Sequence, residues 1–458
     1  MARAPALPQF RVLIAGGGVA ALEAVLALHA VDDGSLDVQL LSPDSQFGVR
    51  ALSVVQPFGA DPSGTLELDA FCREHGATHV RGSLAEVWGE QQRILTDAGE
   101  ELFYDALLIA IGTRARFAIP GSRAFRGAID VPWFEEMLGE LERGALRHLT
   151  FSVPGSVRWS LPLYELALLT ARRLRDEGKE DVGLSLTTPE LAPLEVFGAE
   201  VSSRIEGLLA EAGVELLTGR APVVFDGEAL HFEQGEALET RCVVALPEPW
   251  VPPIPGVPQG SRGFIGCDPQ MRVDGLQAVW VAGDASWMPI KQGGLAAQEA
   301  EVAAWGIAAE AGFAVEPKTF RPVIRGALLT GSEPRFLRTE GNGEGTISSS
   351  PSWWPPAKLA APRLGPYLAA RSAGTGPEPE MLEDLQAEAP TPESEGEHRE
   401  ALRLALSYAE VDAREGEMED ALRWLDVAER LNVTLPFEYQ GRREDWRRLA
   451  DGSARHAE

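Results

Sequence analysis

A glycine-rich turn near the start of the chain limits the fold more than any other feature. It follows an apolar run, Val12–Ala15, that is typical of a buried parallel strand, and it opens a helical run. In the pattern G-x-G-x-x-A, Gly16 makes the tight turn, Gly18 lets the backbone approach a diphosphate, and Ala21 packs the helix against the strand. The sequence therefore predicts a dinucleotide site at a helix N-terminus, formed by Gly16, Gly17, Gly18, Val19 and Ala20.

The second strand of this unit ends differently from the usual dinucleotide-binding pattern. A strand at Asp37–Leu41 completes a strand, helix, strand unit, and such a strand commonly ends in an acidic residue that binds a ribose hydroxyl. Here Ser42 follows the strand, and the acidic residue, Asp44, comes two positions later. We assign the ribose contact to Ser42 and Asp44.

Two later motifs join the glycine turn. A strand at Tyr104–Ile111 ends in Gly112, and a distant strand at Val279–Ala282 ends in Gly283-Asp284 and precedes a helix. In this order the three motifs resemble the flavin-binding family of pyridine nucleotide–disulfide oxidoreductases. The resemblance implies FAD as the cofactor, with Asp284 on its ribityl chain and a helix N-terminus at the pyrimidine edge of the flavin, where reduced flavin is negatively charged. It assigns to the cofactor Gly112, Gly283, Asp284, Gly293, Gly294 and Leu295.

Two cations are predicted to act on the flavin. Lys291 stands just before the helix of the third motif and would add a full positive charge there. Arg50, in the loop after the second strand, would stabilise reduced flavin or an anionic substrate. The alternatives are a solvated surface lysine and an arginine that forms an ordinary ion pair. We assign catalytic roles to Lys291 and Arg50.

Within that family the pattern is most similar to sulfide:quinone and type II NADH:quinone oxidoreductases, from about Phe10 to Gly312. Sulfide oxidation in those relatives needs a pair of cysteines beside the flavin. This chain has three cysteines, Cys72, Cys242 and Cys267, and none matches those positions. We predict an enzyme without a redox-active disulfide.

The second α/β unit lacks the glycines that a nicotinamide nucleotide would need. After the strand at Leu149–Val153 the turn reads Pro154-Gly155-Ser156-Val157-Arg158-Trp159, so bulky side chains stand where a diphosphate would approach. NAD(P)H would have to dock through Arg158 and Glu190. The alternative, which we favour, is a degenerate domain retained for packing.

The predicted fold class is α/β, with two Rossmann-like domains for FAD and NAD(P), the first of them discontinuous, and a C-terminal α-helical hairpin. A stretch rich in Pro, Glu, Gly and Ser marks an acidic disordered linker before the hairpin, which resembles one tetratricopeptide repeat. The predicted segments are 1–118 and 256–318 for the FAD domain, 119–255 for the second domain, 319–370 for a C-terminal cover, 371–397 for the linker and 398–450 for the hairpin.

The net charge and the hydropathy limit the classes of partner that the chain can have. A formal net charge of −28 argues against nucleic-acid binding, and no apolar stretch reaches the ~18 residues of a membrane span. We expect no metal site and a cytoplasmic protein with peripheral contact to the inner face of the membrane. The hairpin offers a surface for a protein partner or a second copy.

The predicted function is an FAD-dependent oxidoreductase that moves electrons from a small-molecule donor, with NAD(P)H among the candidates, to a quinone or another acceptor. The alternative is a regulatory or scaffold protein that binds FAD and recruits a protein through the hairpin.

Overall fold

The fold is described by a computed structural model for residues 9–60, 65–340, 344–353 and 355–372, and for isolated helical positions between 422 and 448. The chain divides into two compact units, residues 1–349 with 357–365, and residues 350–356 with 366–458. Most of the predicted hairpin and nearly all of the predicted linker lie outside the described residues. All of the site described below belongs to the first unit.

The strands of the described residues are, in chain order, β1 (Phe10–Ala15), β2 (Leu36–Ser42), β3 (Gln46–Phe47), β4 (Leu66–Glu67), β5 (Ala77–Arg81), β6 (Leu84–Trp88), β7 (Arg93–Thr96), β8 (Glu101–Phe103), β9 (Ala106–Ile109), β10 (Arg114–Arg116), β11 (Arg123–Ala124), β12 (His148–Ser152), β13 (Gly183–Thr187), β14 (Val214–Leu217), β15 (Pro222–Phe225), β16 (Ala229–Phe232), β17 (Leu238–Glu239), β18 (Val243–Ala245), β19 (Glu248–Trp250), β20 (Val279–Val281), β21 (Val323–Leu328), β22 (Arg335–Glu340) and β23 (Gly345–Ser348). The α-helices are α1 (Val19–His29), α2 (Leu68–Glu74), α3 (Val131–Glu142), α4 (Leu161–Asp176), α5 (Ala199–Ala212), α6 (Gly293–Glu310) and α7 (Leu364–Ser372).

The first parallel sheet has the strand order β20-β9-β1-β2-β5. Its central strand β1 is apolar, and its last four residues are buried, as expected for a parallel sheet with both faces covered. The outermost strand β20 follows the second domain in sequence and pairs in parallel with β9. The prediction of a discontinuous first domain is therefore confirmed by the strand pairing.

The second parallel sheet has the order β11-β18-β12-β13-β14 and repeats the plan of the first. Its helix α4 has Pro162 in the first turn, where the missing N–H costs nothing, and Arg173 and Arg175 in the last turn. Helix α5 ends at Gly213, which adopts the left-handed conformation that glycine tolerates best. Both domains thus place the carboxyl ends of their strands at one edge.

Smaller antiparallel sheets surround the two parallel ones. Strands β6, β7 and β8 form one of them. The predicted cover segment contains another, formed by β21, β22 and β23 in that order. Its side chains Ile324, Leu328 and Leu337 are buried in the same apolar core as those of the second domain.

The predicted element limits mostly agree within two residues. The strand predicted to run to Ile111 ends at Ile109, because the chain turns away at Gly112, which has a φ of 66°. Within the described residues, no helix is long and apolar enough to cross a membrane.

Candidate dinucleotide and flavin site

The three glycines of the first turn have different surroundings. Gly16 has a φ of 135°, and a Cβ on it would lie 2.1 Å from the Ala110 carbonyl oxygen, so only glycine fits. A Cβ on Gly17 would lie 2.4 Å from Ser42 Oγ, whereas a Cβ on Gly18 would meet no atom within 4 Å. The first two glycines therefore let strands and loops pack closely, and Gly18 faces open space at the start of α1.

The residues assigned to the ribose lie at the end of β2. Ser42 is buried, and its Oγ accepts a hydrogen bond from the Asp44 backbone N–H at 3.2 Å. Asp44 is exposed. Ser42 therefore holds the local turn together and touches the glycine loop, while the Asp44 carboxylate stands on the surface beside it.

Asp284 lies where β20 ends, on the same sheet edge as the glycine turn. Its carboxylate is half-buried, and no residue that the structure describes hydrogen-bonds to it. Burial raises the pKa of Asp284, and the positive charges of Lys291 and Arg50 oppose that rise. The fold thus brings together three residues that the sequence singled out separately. Arg50 is exposed and begins a 3₁₀ helix, Arg50–Phe58.

The turn that carries Asp284 is held by a residue that the sequence analysis missed. Glu299, in the middle of α6, accepts the Gly283 N–H at 2.6 Å and the Ser286 hydroxyl at 2.9 Å. Burial raises the pKa of Glu299 to about 8. A carboxylate in the alanine-rich part of a largely buried helix was the available signal, because such a group needs buried donors.

Lys291 is enclosed by the same turn. Its ammonium donates to the Ser286 carbonyl at 2.7 Å and to the Met288 carbonyl, and it lies 4.0 Å from the centre of the Phe264 ring. Burial lowers the pKa of Lys291 to about 8, against the effect of Asp284 and Glu299. The alternative of a solvated surface lysine is wrong, since its ammonium is fixed by protein oxygens.

The N-terminus of α6 is partly occupied by the chain itself. Gln292 caps the helix, because its side-chain oxygen accepts the Leu295 N–H at 2.9 Å. A Cβ on Gly293 would lie 2.7 Å from Leu359 Cδ1, and one on Gly294 would lie 3.1 Å from the Ala360 carbonyl oxygen. Gly293, Gly294 and Leu295 were assigned to the flavin edge. Of these, Leu295 already donates its N–H to the Gln292 side chain.

Gly112 follows the crossover strand β9 and faces open space. It has a φ of 66°, and a Cβ there would meet no atom within 4 Å. The Phe264 ring that Lys291 contacts also lines a cavity of about 420 Å³. Its lining includes Phe264, Arg262, Pro289 and the exposed Trp287. Small molecules thus have an opening that ends one ring away from Lys291.

Burial disfavours the reactive form of all three cysteines. Burial raises the pKa of Cys72 and of Cys267 to about 12, and that of Cys242 to about 11. Thiols with such pKa values are protonated near neutral pH, and the thiolate is the reactive form. Among the described residues, no group of three or more His, Cys, Asp or Glu side chains could hold a metal ion.

Comparison with known proteins addresses the fold. No protein-family model matches the chain. The sulfide:quinone oxidoreductase of Aquifex aeolicus is similar in structure, with a TM-score of 0.68, 17% identity, and coverage of 74% of this chain and 86% of that chain. A ferredoxin reductase from Rhodopseudomonas palustris has a TM-score of 0.54, 18% identity, and coverage of 72% and 81%. NDH2 of Plasmodium falciparum has a TM-score of 0.50 and 16% identity, and the match covers 61% of this chain and 64% of that chain.

The chain has the fold of the FAD-dependent pyridine nucleotide–disulfide oxidoreductases. The resemblance read from three short motifs is confirmed at this level, as is the α/β class with two Rossmann-like domains. In this fold, Gly18, Gly112 and Asp284 line one edge of the first sheet.

Proposed function

We propose that the protein is an FAD-dependent oxidoreductase that transfers electrons from a small-molecule donor to a small-molecule acceptor without a redox-active disulfide. The observation that carries the proposal is the Asp284 carboxylate, which is half-buried and has no hydrogen-bond partner among the described residues. A half-buried carboxylate without a protein donor is free to accept hydrogen bonds from a ligand, and a bound polyhydroxyl group would supply them. The ribityl chain of FAD supplies such hydroxyls.

The glycine turn supports the same cofactor. The open space at Gly18 lies at the N-terminus of α1, where backbone N–H groups and the helix dipole favour a diphosphate. Ser42 and Asp44, at the end of β2, stand where the adenosine ribose would follow. Gly112 leaves room on the crossover side. These residues form one continuous edge that fits a long dinucleotide.

The charges near Asp284 support a redox role over a purely structural one. Bound FAD would supply two-electron chemistry, and its reduced form carries negative charge. Lys291 holds a positive charge inside the protein below a pH of about 8, and Arg50 adds a second one at the surface. Preorganised charges of this kind stabilise a developing anion without reorganising solvent.

The acceptor proposed is a quinone, on the strength of the name of one protein with this fold, a sulfide:quinone oxidoreductase. The cavity beside Phe264 and Trp287 gives a small molecule access to the neighbourhood of Lys291. Contact with a membrane surface would follow from a quinone acceptor. The pKa values of the three thiols support a route that uses no cysteine.

An anaerobic spectral titration of the purified protein tests the proposal. The protein is expected to carry FAD, to bleach when its donor is added, and to recover its colour when a quinone analogue follows. A protein without FAD would contradict the proposal at its first step. A bound flavin that dithionite reduces but a broad panel of donors leaves oxidised would favour the alternative of an FAD-binding regulatory or scaffold protein.

A further inference from the structure

The edge of the second sheet is closed by the protein's own side chains. In a nucleotide-binding domain the ligand lies at the carboxyl ends of the strands, against the turn after the first strand and the start of its helix. Here these elements are the end of β12, residues 154–160, and the first turn of α4. Trp159 fills this turn, half-buried against the fully buried Phe197, with ring centroids 6.1 Å apart.

Strand β21 lies directly over the start of α4. A Cβ on Gly326 would be 2.8 Å from Leu161 Cδ1, 3.3 Å from the Trp159 ring and 3.5 Å from the Phe197 ring. Strand β23 packs against Phe197, because a Cβ on Gly345 would be 2.4 Å from the Phe197 carbonyl oxygen. Backbone therefore occupies the space that a diphosphate would need at this helix end.

Glu190, the residue that would bind a ribose, forms hydrogen bonds within its own domain. Glu190 follows β13, and one of its oxygens accepts three hydroxyl hydrogen bonds, from Ser160 at 3.1 Å, Tyr164 at 3.0 Å and Thr188 at 2.8 Å. Burial raises the pKa of Glu190, and these hydrogen bonds oppose the rise. These bonds hold the Glu190 carboxylate against the side chains of its own domain.

A buried ion pair fastens the cover to α4. The Lys358 ammonium contacts the Glu165 carboxylate and donates to the Ala327 carbonyl at 2.7 Å. Glu165 also accepts the Leu329 N–H at 2.9 Å. Both side chains are almost completely buried, with 8% of Lys358 and none of Glu165 exposed. Removing the cover would leave these charges unpaired, so it is a permanent part of the domain.

We infer that the second α/β domain binds no nicotinamide nucleotide, because its nucleotide edge is filled by Trp159, Phe197 and the chain's own strands β21 and β23. The inference rests on the proposed oxidoreductase function and narrows its donor. Electrons reach this protein from a small molecule that is not anchored through a nucleotide diphosphate in the second domain.

The first test titrates the FAD-loaded full-length protein with NADH and NADPH up to ~1 mM, the upper end of usual substrate affinities. Calorimetry is expected to show no saturable binding, and the flavin spectrum no bleaching. One-to-one binding that Arg158→Ala weakens would overturn the inference, since Arg158 is the exposed cation of the turn. Reduction by dithionite, measured in parallel, reports a working flavin whichever way the nucleotide result falls.

The second test asks whether the cover lies on α4 in solution. Gly326→Val inserts a wedge between β21 and the first turn of α4, and hydrogen exchange is expected to rise at least several-fold in both segments. The matched control is Gly155→Val, because a Cβ on Gly155 meets no atom within 4 Å. Faster exchange in β21 with an unchanged first turn of α4 would show that the strand does not cover the helix, and would overturn the inference.

Discussion

The two α/β domains share a plan but differ at the edge where a nucleotide would bind. In each sheet the central strand, β1 or β12, lies between the strand that follows it in the parallel sheet, β2 or β13, and a later strand, β9 or β18. In each domain a turn and a helix follow that central strand. In the first domain the turn opens onto space at Gly18, and none of the residues that the structure describes hydrogen-bonds to Asp284. In the second, Trp159 fills the turn, and Glu190 already accepts three hydrogen bonds.

This difference teaches that the fold alone does not decide what a Rossmann-like domain binds. The first domain leaves the Asp284 carboxylate without a donor among the described residues, whereas the second engages Glu190 with its own hydroxyl groups and packs a strand against its edge. An internal cover of this kind keeps the domain's packing and removes its ligand site. Four experiments can break or sharpen the comparison.

The largest expected effect concerns the cover of the second domain. Lys358→Met would leave Glu165 buried without its partner and lower the free energy of unfolding by ~3–5 kcal/mol at neutral pH. Burial already raises the pKa of Glu165, and losing the lysine raises it further, so the loss should shrink as the pH falls and the carboxyl is protonated. Denaturant unfolding at several pH values measures this.

The control for that experiment is Lys318→Met. Lys318 pairs with Glu301 at 2.7 Å but is 40% exposed, so its removal should cost less than ~1 kcal/mol. Equal effects of the two substitutions would mean that the cover is not anchored by the buried pair.

The second-largest effect is expected from glycine substitutions, which compare the turns after β1 and β12. Gly16→Ala places a Cβ against the Ala110 carbonyl oxygen at a φ that L-residues avoid, and should cost ~2–4 kcal/mol and abolish FAD binding. Gly155→Ala, in the second turn, has open space and should stay within ~0.5 kcal/mol of the wild type. Unfolding curves and flavin absorbance report both. A tolerated Gly16→Ala would remove the steric argument for the first turn.

A smaller effect compares the two carboxylates. Asp284→Ala should weaken FAD binding ~10- to 100-fold, the loss expected for one or two hydrogen bonds to a charged group. Glu190→Gln should leave FAD affinity unchanged, because its partners all lie within the second domain. Titration of the apoprotein with FAD, followed by flavin fluorescence, separates the two. Wild-type affinity in Asp284→Ala would contradict the proposed site.

The smallest effect concerns the buried lysine. At pH 7 Lys291 is charged, so Lys291→Met should lower the two-electron midpoint potential of the flavin by ~20–30 mV, or ~1–1.4 kcal/mol. The burial-lowered pKa of about 8 sets the pH range: the difference from wild type should fade as the pH rises through 8 and the lysine becomes neutral. Potentiometric titration measures it, with Lys318→Met as the control. A difference that persists at pH 9 would assign the effect to something other than this charge.

Much of the first domain could be predicted because its signals are local. The glycine spacing of the first turn is read within a few residues, and the apolar runs of β1 and β2 mark buried strands. The site residues Asp284, Lys291 and Arg50 were also named from the sequence, although their roles stay predictions. Glu299 and Gln292 were missed, because their importance lies in the N–H groups that the fold brings to them.

The sequence by itself determined the α/β class, the glycine-rich first turn and the absence of the G-x-G-x-x-A pattern from the second turn. Only the tertiary structure decided what fills that second edge. Trp159 and Gly326 are far apart in the chain, and neither has a local pattern that predicts their contact. The physical reason is that sterics and hydrophobic periodicity act over a few neighbouring residues. Closing an edge requires strands, buried charges and carbonyl groups from distant segments to satisfy one another at once.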